Sequence, residues 1–258
     1  MAPSRKKLGS LRILVSNDDG IHAPGLKLLT RIAQSLSDDV WVVAPETEQS
    51  AASHSLTVRT PLRMRKLGPR KFAVDGTPTD CVNIAITHIL KCKPDLIVSG
   101  INSGWNIGDD VTYSGTVSGA LEGALLMIPS IAVSAERRRN VIDYAPAVDA
   151  AVHAVEAVLA KGLPKFTFLH IHVPAGPTRG TRVTVQARRN HVTVIDERVD
   201  PRGSAYYWIE EGENEWEPHD RSDYQAVRDG YVSVTPLQPD MTAHEALAYV
   251  EGLVGSKG

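Results

Sequence analysis

The chain has 258 residues, 42% hydrophobic and 22% charged, with a formal net charge of −2. That length and balance fit one sizeable α/β domain with a substantial core. They argue against a basic nucleic-acid-binding face, so any nucleotide is expected as a small molecule and not as a polymer.

Met1 to Ser10 is basic and polar and reads as a disordered lead-in. Asn17, Asp18 and Asp19 interrupt the apolar run that starts at Leu11, so a signal peptide is not expected. No stretch of about 18 apolar residues occurs, and no transmembrane helix is expected. Leu11 to Val15 is a candidate buried strand ending at Ser16-Asn17-Asp18-Asp19-Gly20. After Pro24-Gly25, the stripe Leu26, Leu29, Ala33 and Leu36 predicts a helix. Val40 to Ala44 reads as a strand, Thr79 to Leu90 as a helix, and Leu96 to Val98 as a strand ending at Ser99-Gly100. Gly115 to Met127 predicts a helix closely packed on the sheet, followed by a strand at Ile131 to Val133. Ala145 to Leu159 reads as a helix and Phe166 to Val173 as a strand. This alternation predicts a Rossmann-like three-layer α/β sandwich with a mostly parallel sheet.

The pattern changes after Pro174. Thr181 to Ala187 and His191 to Ile195 look like strands around a turn. Asp200 to Asp223 is polar, charged and aromatic, and reads as a projecting arm or interface. Gly230 to Thr235 alternates as a strand does, and Thr242 to Val250 has a helical pattern. The expected organisation is a single domain over residues 1–258. Its core covers about 11–175, and a C-terminal arm and closing segment cover about 176–258. Cys81 and Cys92 lack C-x-x-C spacing, so neither a zinc site nor a disulfide framework is indicated. A cytoplasmic location is expected.

Three strand ends carry the chemistry. Asp18-Asp19 directly follows a buried strand, where ligands of open α/β sheets bind. Two adjacent carboxylates there suit a hard cation such as Mg²⁺ or Mn²⁺, though they also fit a solvated loop that caps the next helix. A dinucleotide-binding turn would show G-x-G-x-x-G at this place, and two carboxylates would repel its pyrophosphate. Glu46 to Thr57 is rich in hydroxyls, with Ser50, Ser53 and Ser55. The run Ser99 to Thr116 combines glycines with Asn102 and Asn106 and ends in Ser114-Gly115-Thr116 at a helix start, a ready anion site. Together these describe a metal-assisted phosphate site better than an acyl-transfer site, and no G-x-S-x-G elbow is present.

At these residues the sequence resembles the SurE family of 5′/3′-nucleotidases. The resemblance lies in Ile13 to Gly20 with Ala23-Pro24-Gly25, in Ala44-Pro45 with Ser50 and Ser55-Leu56-Thr57, in Gly76 to Val82, and in the long run Val98 to Gly119. Weaker matches continue through Asp200 to Gly203, Tyr207-Trp208 and Gly230 to Leu237. The resemblance implies metal ligation by Asp18, Asp19, Ser50 and Asn102, with one divalent cation per subunit. It also implies phosphate binding by Asn106, Ser114, Gly115 and Thr116, and a homodimer or homotetramer with C-terminal segments reaching across subunits. One departure is Phe168 to Pro174, where His170 and His172 stand at positions that are commonly asparagine in the family. Their spacing puts them on one face of a strand. Zinc binding and a pair of structural histidines both fit, and the absence of a second ligand cluster favours the structural pair.

The expected reaction is hydrolysis of a nucleoside monophosphate, with Asp18, Asp19 and Asn106 catalytic. Direct attack by water and a covalent aspartyl-phosphate both fit, and His54 is a candidate for protonating the leaving oxygen. The alternatives are a phosphatase for short polyphosphate or another small phosphoester, or a nucleotide-binding module without catalysis.

Overall fold

The computed structural model describes Gly9, residues 11–138 and residues 142–255. The expected lead-in, Gly9 apart, lies outside those residues. β1 (Arg12–Ser16) sits centrally. Its alternating side chains enter two cores: Ile13 and Val15 pack on one face and Leu14 on the other. Such two-sided burial belongs to a parallel sheet covered by helices on both faces.

Around β1 lie β2 (Asp39–Pro45), β3 (Met64–Gly68), β4 (Lys71–Val74), β5 (Leu96–Ser103), β6 (Ser130–Ala135), β7 (Phe168–Val173), β8 (Thr181–Val183) and, later in the chain, β11 (Val232–Leu237). Among the described residues these nine form one sheet in the order β3-β4-β2-β1-β5-β6-β7-β11-β8. Pairing is parallel except at β3–β4 and β7–β11. The mostly parallel sandwich expected from the sequence is therefore present. β3 and β4 were not expected: β3 is a charged, exposed edge strand and β4 has four residues, so neither carries a clear apolar signal.

α1 (Pro24–Leu36) and α4 (Ala145–Lys161) cover one face, and α2 (Pro78–Ile84) and α3 (Gly115–Leu125) cover the other. The helix expected over Thr79 to Leu90 is α2 running into a π-helical turn at Ala85–Leu90. α2 begins in a capping box, in which Thr77 and Asp80 satisfy each other's backbone N–H groups. Glycines at every fourth residue let α3 lie close to the sheet. A Cβ on Gly119 would stand 2.9 Å from Ser99 Oγ, and one on Gly123 would stand 2.0 Å from Ser130 Oγ.

The C-terminal third differs from the sequence reading in its pairing. β9 (Thr193–Val199) does not pair with the Thr181 segment; it pairs antiparallel with β10 (Ala205–Glu211), and the Thr181 strand joins β11 in the main sheet. The separate two-stranded hairpin turns at residues 200–204, so the projecting element starts at Thr193 and not at Asp200. Asp200-Pro201-Arg202-Gly203 is its turn, which composition alone does not distinguish from the start of a loop. α5 (Asp223–Arg228) follows, and α6 (Leu247–Val254) ends the described chain after a 3₁₀ turn at His244–Ala246.

Candidate active site

The carboxyl ends of β1, β2 and β5 meet the N-terminus of α3 around a cavity of about 370 Å³. Asp18, Asp19, Ser50, Asn102, Asn106 and Ser114 all line it. A larger groove of about 670 Å³ lies elsewhere, between α4 and the β7–β11 pair, and is lined mainly by small apolar side chains. The smaller cavity holds the convergent polar groups, so chemistry and not volume selects it.

Asp18 is buried, and burial raises its carboxyl pKa despite the hydroxyl of Thr116, which donates to Oδ1. Gln49 N donates to the Asp18 carbonyl at 2.8 Å, tying the loop after β2 to the loop after β1. Asp19 is more open; burial first and the charge of Asp18 second push its pKa up to about 6. Ile21 N donates to Pro45 O at 2.8 Å, and Asn17 Nδ2 to Gly20 O at 3.1 Å, which fix the turn.

Ser50 Oγ donates to Glu48 Oε1 at 2.6 Å. Asn102 follows an irregularity in the β5–β6 register between Gly100 and Asn102, and its amide makes a long contact to Gly104 O at 3.4 Å. Ser114 caps α3, accepting from Val117 N at 3.1 Å. Gly115 and Thr116 stand behind Asp18 and do not line the cavity. A Cβ on Gly115 would lie 2.7 Å from Asp18 Cβ. Only glycine lets α3 approach this carboxylate so closely.

Sequence reasoning missed several lining groups. Glu48, Asp110, Glu211 and Arg137 also face the cavity, as do Trp105 and Tyr113. Arg137 lies just past Glu136 at the end of β6 and donates to Ser103 Oγ at 2.6 Å, so a rule of inspecting every strand end would have found it. Glu211 closes the far end of β10, where no local pattern marks it; it pairs with Arg189, which also binds Asp110. The lining thus carries five carboxyl groups, Asp18, Asp19, Glu48, Asp110 and Glu211, against one guanidinium.

His54 does not line the cavity. Its Nε2 meets Glu122 Oε2 at 2.7 Å, and Asn83 holds the other carboxylate oxygen at 2.8 Å. This histidine anchors its loop to α3. His170 and His172 are buried side by side with ring centroids 6.1 Å apart. Among the described residues no group of three or more His, Cys, Asp or Glu is arranged to hold a metal, so the pair lacks the further ligands zinc needs.

The family model of Survival protein SurE matches residues 13–193. The chain belongs to the SurE family. A protein of Brucella anthropi named 5′-nucleotidase SurE is 48% identical, covering 95% of this chain and 98% of its own length. One of the same name from Geotalea daltonii is 49% identical, over 93% and 98%. The crystal structure of Sure protein from Aquifex aeolicus superposes with a TM-score of 0.82 at 42% identity, covering 94% of this chain and 99% of that one. All the candidate SurE site residues from Asp18 to Thr116, with Arg137, fall within the family match, whereas Glu211 lies beyond it.

Proposed function

We propose that this SurE-family chain is a divalent-metal-dependent phosphomonoesterase that hydrolyses nucleoside 5′-monophosphates to nucleoside and phosphate. The observation that carries the reading is the convergence of Asp18, Asp19, Ser50 and Asn102 with Asn106 and the start of α3 on one acidic cavity. A dianionic substrate would be repelled by five carboxyl groups facing one guanidinium. The four proposed ligands offer only oxygen atoms, so the donor set fits one hard cation, Mg²⁺ or Mn²⁺. When bound, such an ion supplies charge neutralisation at the phosphoryl group and acidifies a water.

The chain's own groups do the rest. Thr116 holds the buried Asp18 in place, and Gly115 lets the helix start close behind it. Asp19, the more open carboxylate, orients the attacking water. Ser114, which lines the cavity at the start of α3, donates its hydroxyl proton to a phosphoryl oxygen. Asn106 adds a side-chain N–H beside them, where charge develops in the transition state.

We further assign a homo-oligomer. The β9–β10 hairpin exposes Ile195, Val199, Tyr207, Trp208 and Ile209, and α6 exposes Leu247, Tyr249, Leu253 and Val254. Apolar surface of this extent marks an interaction site. Cys81 and Cys92 are both unpaired, in keeping with a reducing compartment such as the cytoplasm. Among the described residues no helix is long and apolar enough to cross a membrane.

The test is phosphate release from a panel of nucleoside monophosphates with EDTA, Mg²⁺ or Mn²⁺, for wild type and Asp19→Asn. Metal-dependent release that falls by about 100-fold or more in the variant is expected. A folded wild type that releases no phosphate from any monophosphate with any metal rejects the reading. Trapping a labelled phospho-enzyme would replace direct water attack with a covalent route.

A further inference from the structure

Behind the cavity the sheet buries polar side chains that the proposed chemistry does not use. Ser134, His170 and His172 are each 1% exposed or less. They occupy one face of β6 and β7, with His170 directly opposite Thr235 and His172 opposite Ser233 on β11. Apolar residues would fill the same space without desolvating imidazoles and hydroxyls, and neither ring nitrogen of His172 has a partner. Polar groups kept at such a cost mark functional support more often than packing.

The hydrogen bonds of this seam have a direction. Asn106 Nδ2 donates to Ser134 Oγ at 2.9 Å. The Ser134 hydroxyl has one proton, and because its oxygen already accepts from Asn106, that proton goes to another acceptor. His170 Nε2 lies 3.4 Å away and is in reach. Burial lowers the His170 pKa to about 4, so its ring is neutral near pH 7 and one nitrogen is a bare acceptor. In the tautomer with Nε2 bare, the proton sits on Nδ1, and the Ser134 hydroxyl, donating to Nε2, keeps its oxygen turned to the Asn106 N–H. Without His170, the Ser134 proton is free to turn onto Asn106 Oδ1, and the amide then turns over.

We propose that Ser134 and His170 are positioning residues for Asn106, setting which end of its amide meets the phosphoryl group. This rests on the reading of the cavity as a phosphatase site. Neither residue touches substrate; both act through Asn106.

The experiment compares Ser134→Ala, His170→Leu, His170→Gln, Asn106→Ala and the Ser134→Ala/Asn106→Ala double variant, using a nucleoside 5′-monophosphate and phenyl phosphate. Folding is checked by circular dichroism and Tm. Ser134→Ala and His170→Leu should lower kcat about 10- to 100-fold on both substrates, with KM changed less than about threefold. His170→Gln places an amide where Nε2 was and should recover most of kcat. The double variant should be no slower than Asn106→Ala alone, because a residue acting only through Asn106 adds nothing once Asn106 is gone. Unchanged kcat in a folded Ser134→Ala, or full additivity in the double variant, overturns the proposal. If Ser134→Ala does not fold, the His170 pair still decides it. Histidine ¹⁵N spectra of the wild type give a readout independent of activity: the Nδ1–H tautomer at His170 is expected, and the Nε2–H tautomer overturns the assignment. A folded wild type without phosphatase activity would reject the reading of the cavity instead, and the spectra would still test the hydrogen-bond direction.

Discussion

Asp18 and Asp19 are neighbours in the chain but differ in environment. Asp18 is enclosed and bonded by Thr116, while Asp19 faces the cavity and is relieved by a backbone hydrogen bond from Ser103 and, less, by the charge of Arg137. Burial and the neighbouring carboxylate raise the Asp19 pKa to about 6, from an unfolded value near 4. Between those values the folded protein holds a proton that the unfolded chain has released. Without metal, the ionised Asp19 therefore costs stability as pH rises from about 4 to 6, and the cost stays constant above that. Asp19→Asn, neutral at every pH, should raise the Tm of the metal-free protein at pH 8 and leave it nearly unchanged at pH 4. Equal shifts at both pH values would show that the charge of Asp19 is not the cause. Adding Mn²⁺ at pH 8 should raise the Tm of the wild type more than that of the variant, because a ligand stabilises the state that binds it.

Each element in the site is held by a neighbouring element. The hydroxyl-rich loop that carries Ser50 has little regular structure of its own and depends on α2. Asp80 accepts from Thr57 N at 3.0 Å, from Thr57 Oγ1 at 2.7 Å and from Thr77 N at 2.9 Å. A single buried carboxylate thus caps α2 and pins the loop. Asp80→Ala removes all three bonds and should cost about 2–3 kcal/mol, read from the shift of the urea midpoint. It should also raise the Mn²⁺ dissociation constant measured by calorimetry, since the loop that carries Ser50 loses one of its anchors. A stable Asp80→Ala with unchanged Mn²⁺ affinity would disconnect loop and helix. The base of the β9–β10 hairpin is tied to the cavity through Arg189, which bonds Asp110 and Glu211 and lies over Trp216 at 5.0 Å. Trp216 in turn stacks on Tyr224 at 4.2 Å. The arm is therefore aromatic and charged for different reasons at its two ends: packing at the base, exposed apolar surface along the strands.

At the scale of the whole molecule, the hairpin, α6 and the groove beside α4 leave more apolar surface uncovered than a lone copy needs. A two-stranded ribbon is marginal by itself, so a second surface against β9–β10 would stabilise it. Trp208→Ser with Ile209→Ser should shift the protein to a smaller species in light scattering after size exclusion. Wild type and variant both eluting as monomers would reject the assigned homo-oligomer. Because Glu211 lies at the end of the same hairpin, the variant should also weaken turnover, read as kcat/KM per subunit.

Local pattern was enough for most of the sheet and for the donors after β1, β2 and β5. Buried strands are continuous apolar runs, and a break into carboxylates, hydroxyls or glycines is visible wherever such a run ends. That is why the loops carrying Asp18-Asp19, Ser50 and Asn102 to Thr116 stood out together, whereas the choice of Ser50 and Asn102 as individual ligands rests on the resemblance to the SurE family. β3 was not legible, because an exposed charged edge strand has no periodic apolar signal. The partner of β9 was not legible either, because strands of similar composition do not encode which neighbour they pair with. Only the tertiary structure decided that Thr116 bonds Asp18 from behind, that His54 belongs to Glu122, and that Glu211 and Arg137 reach the same cavity. Those pairings join residues tens of positions apart, and the physical reason is the same for each. Burial and hydrogen-bond partners are properties of three-dimensional neighbours, which the sheet order brings together and the linear sequence does not record.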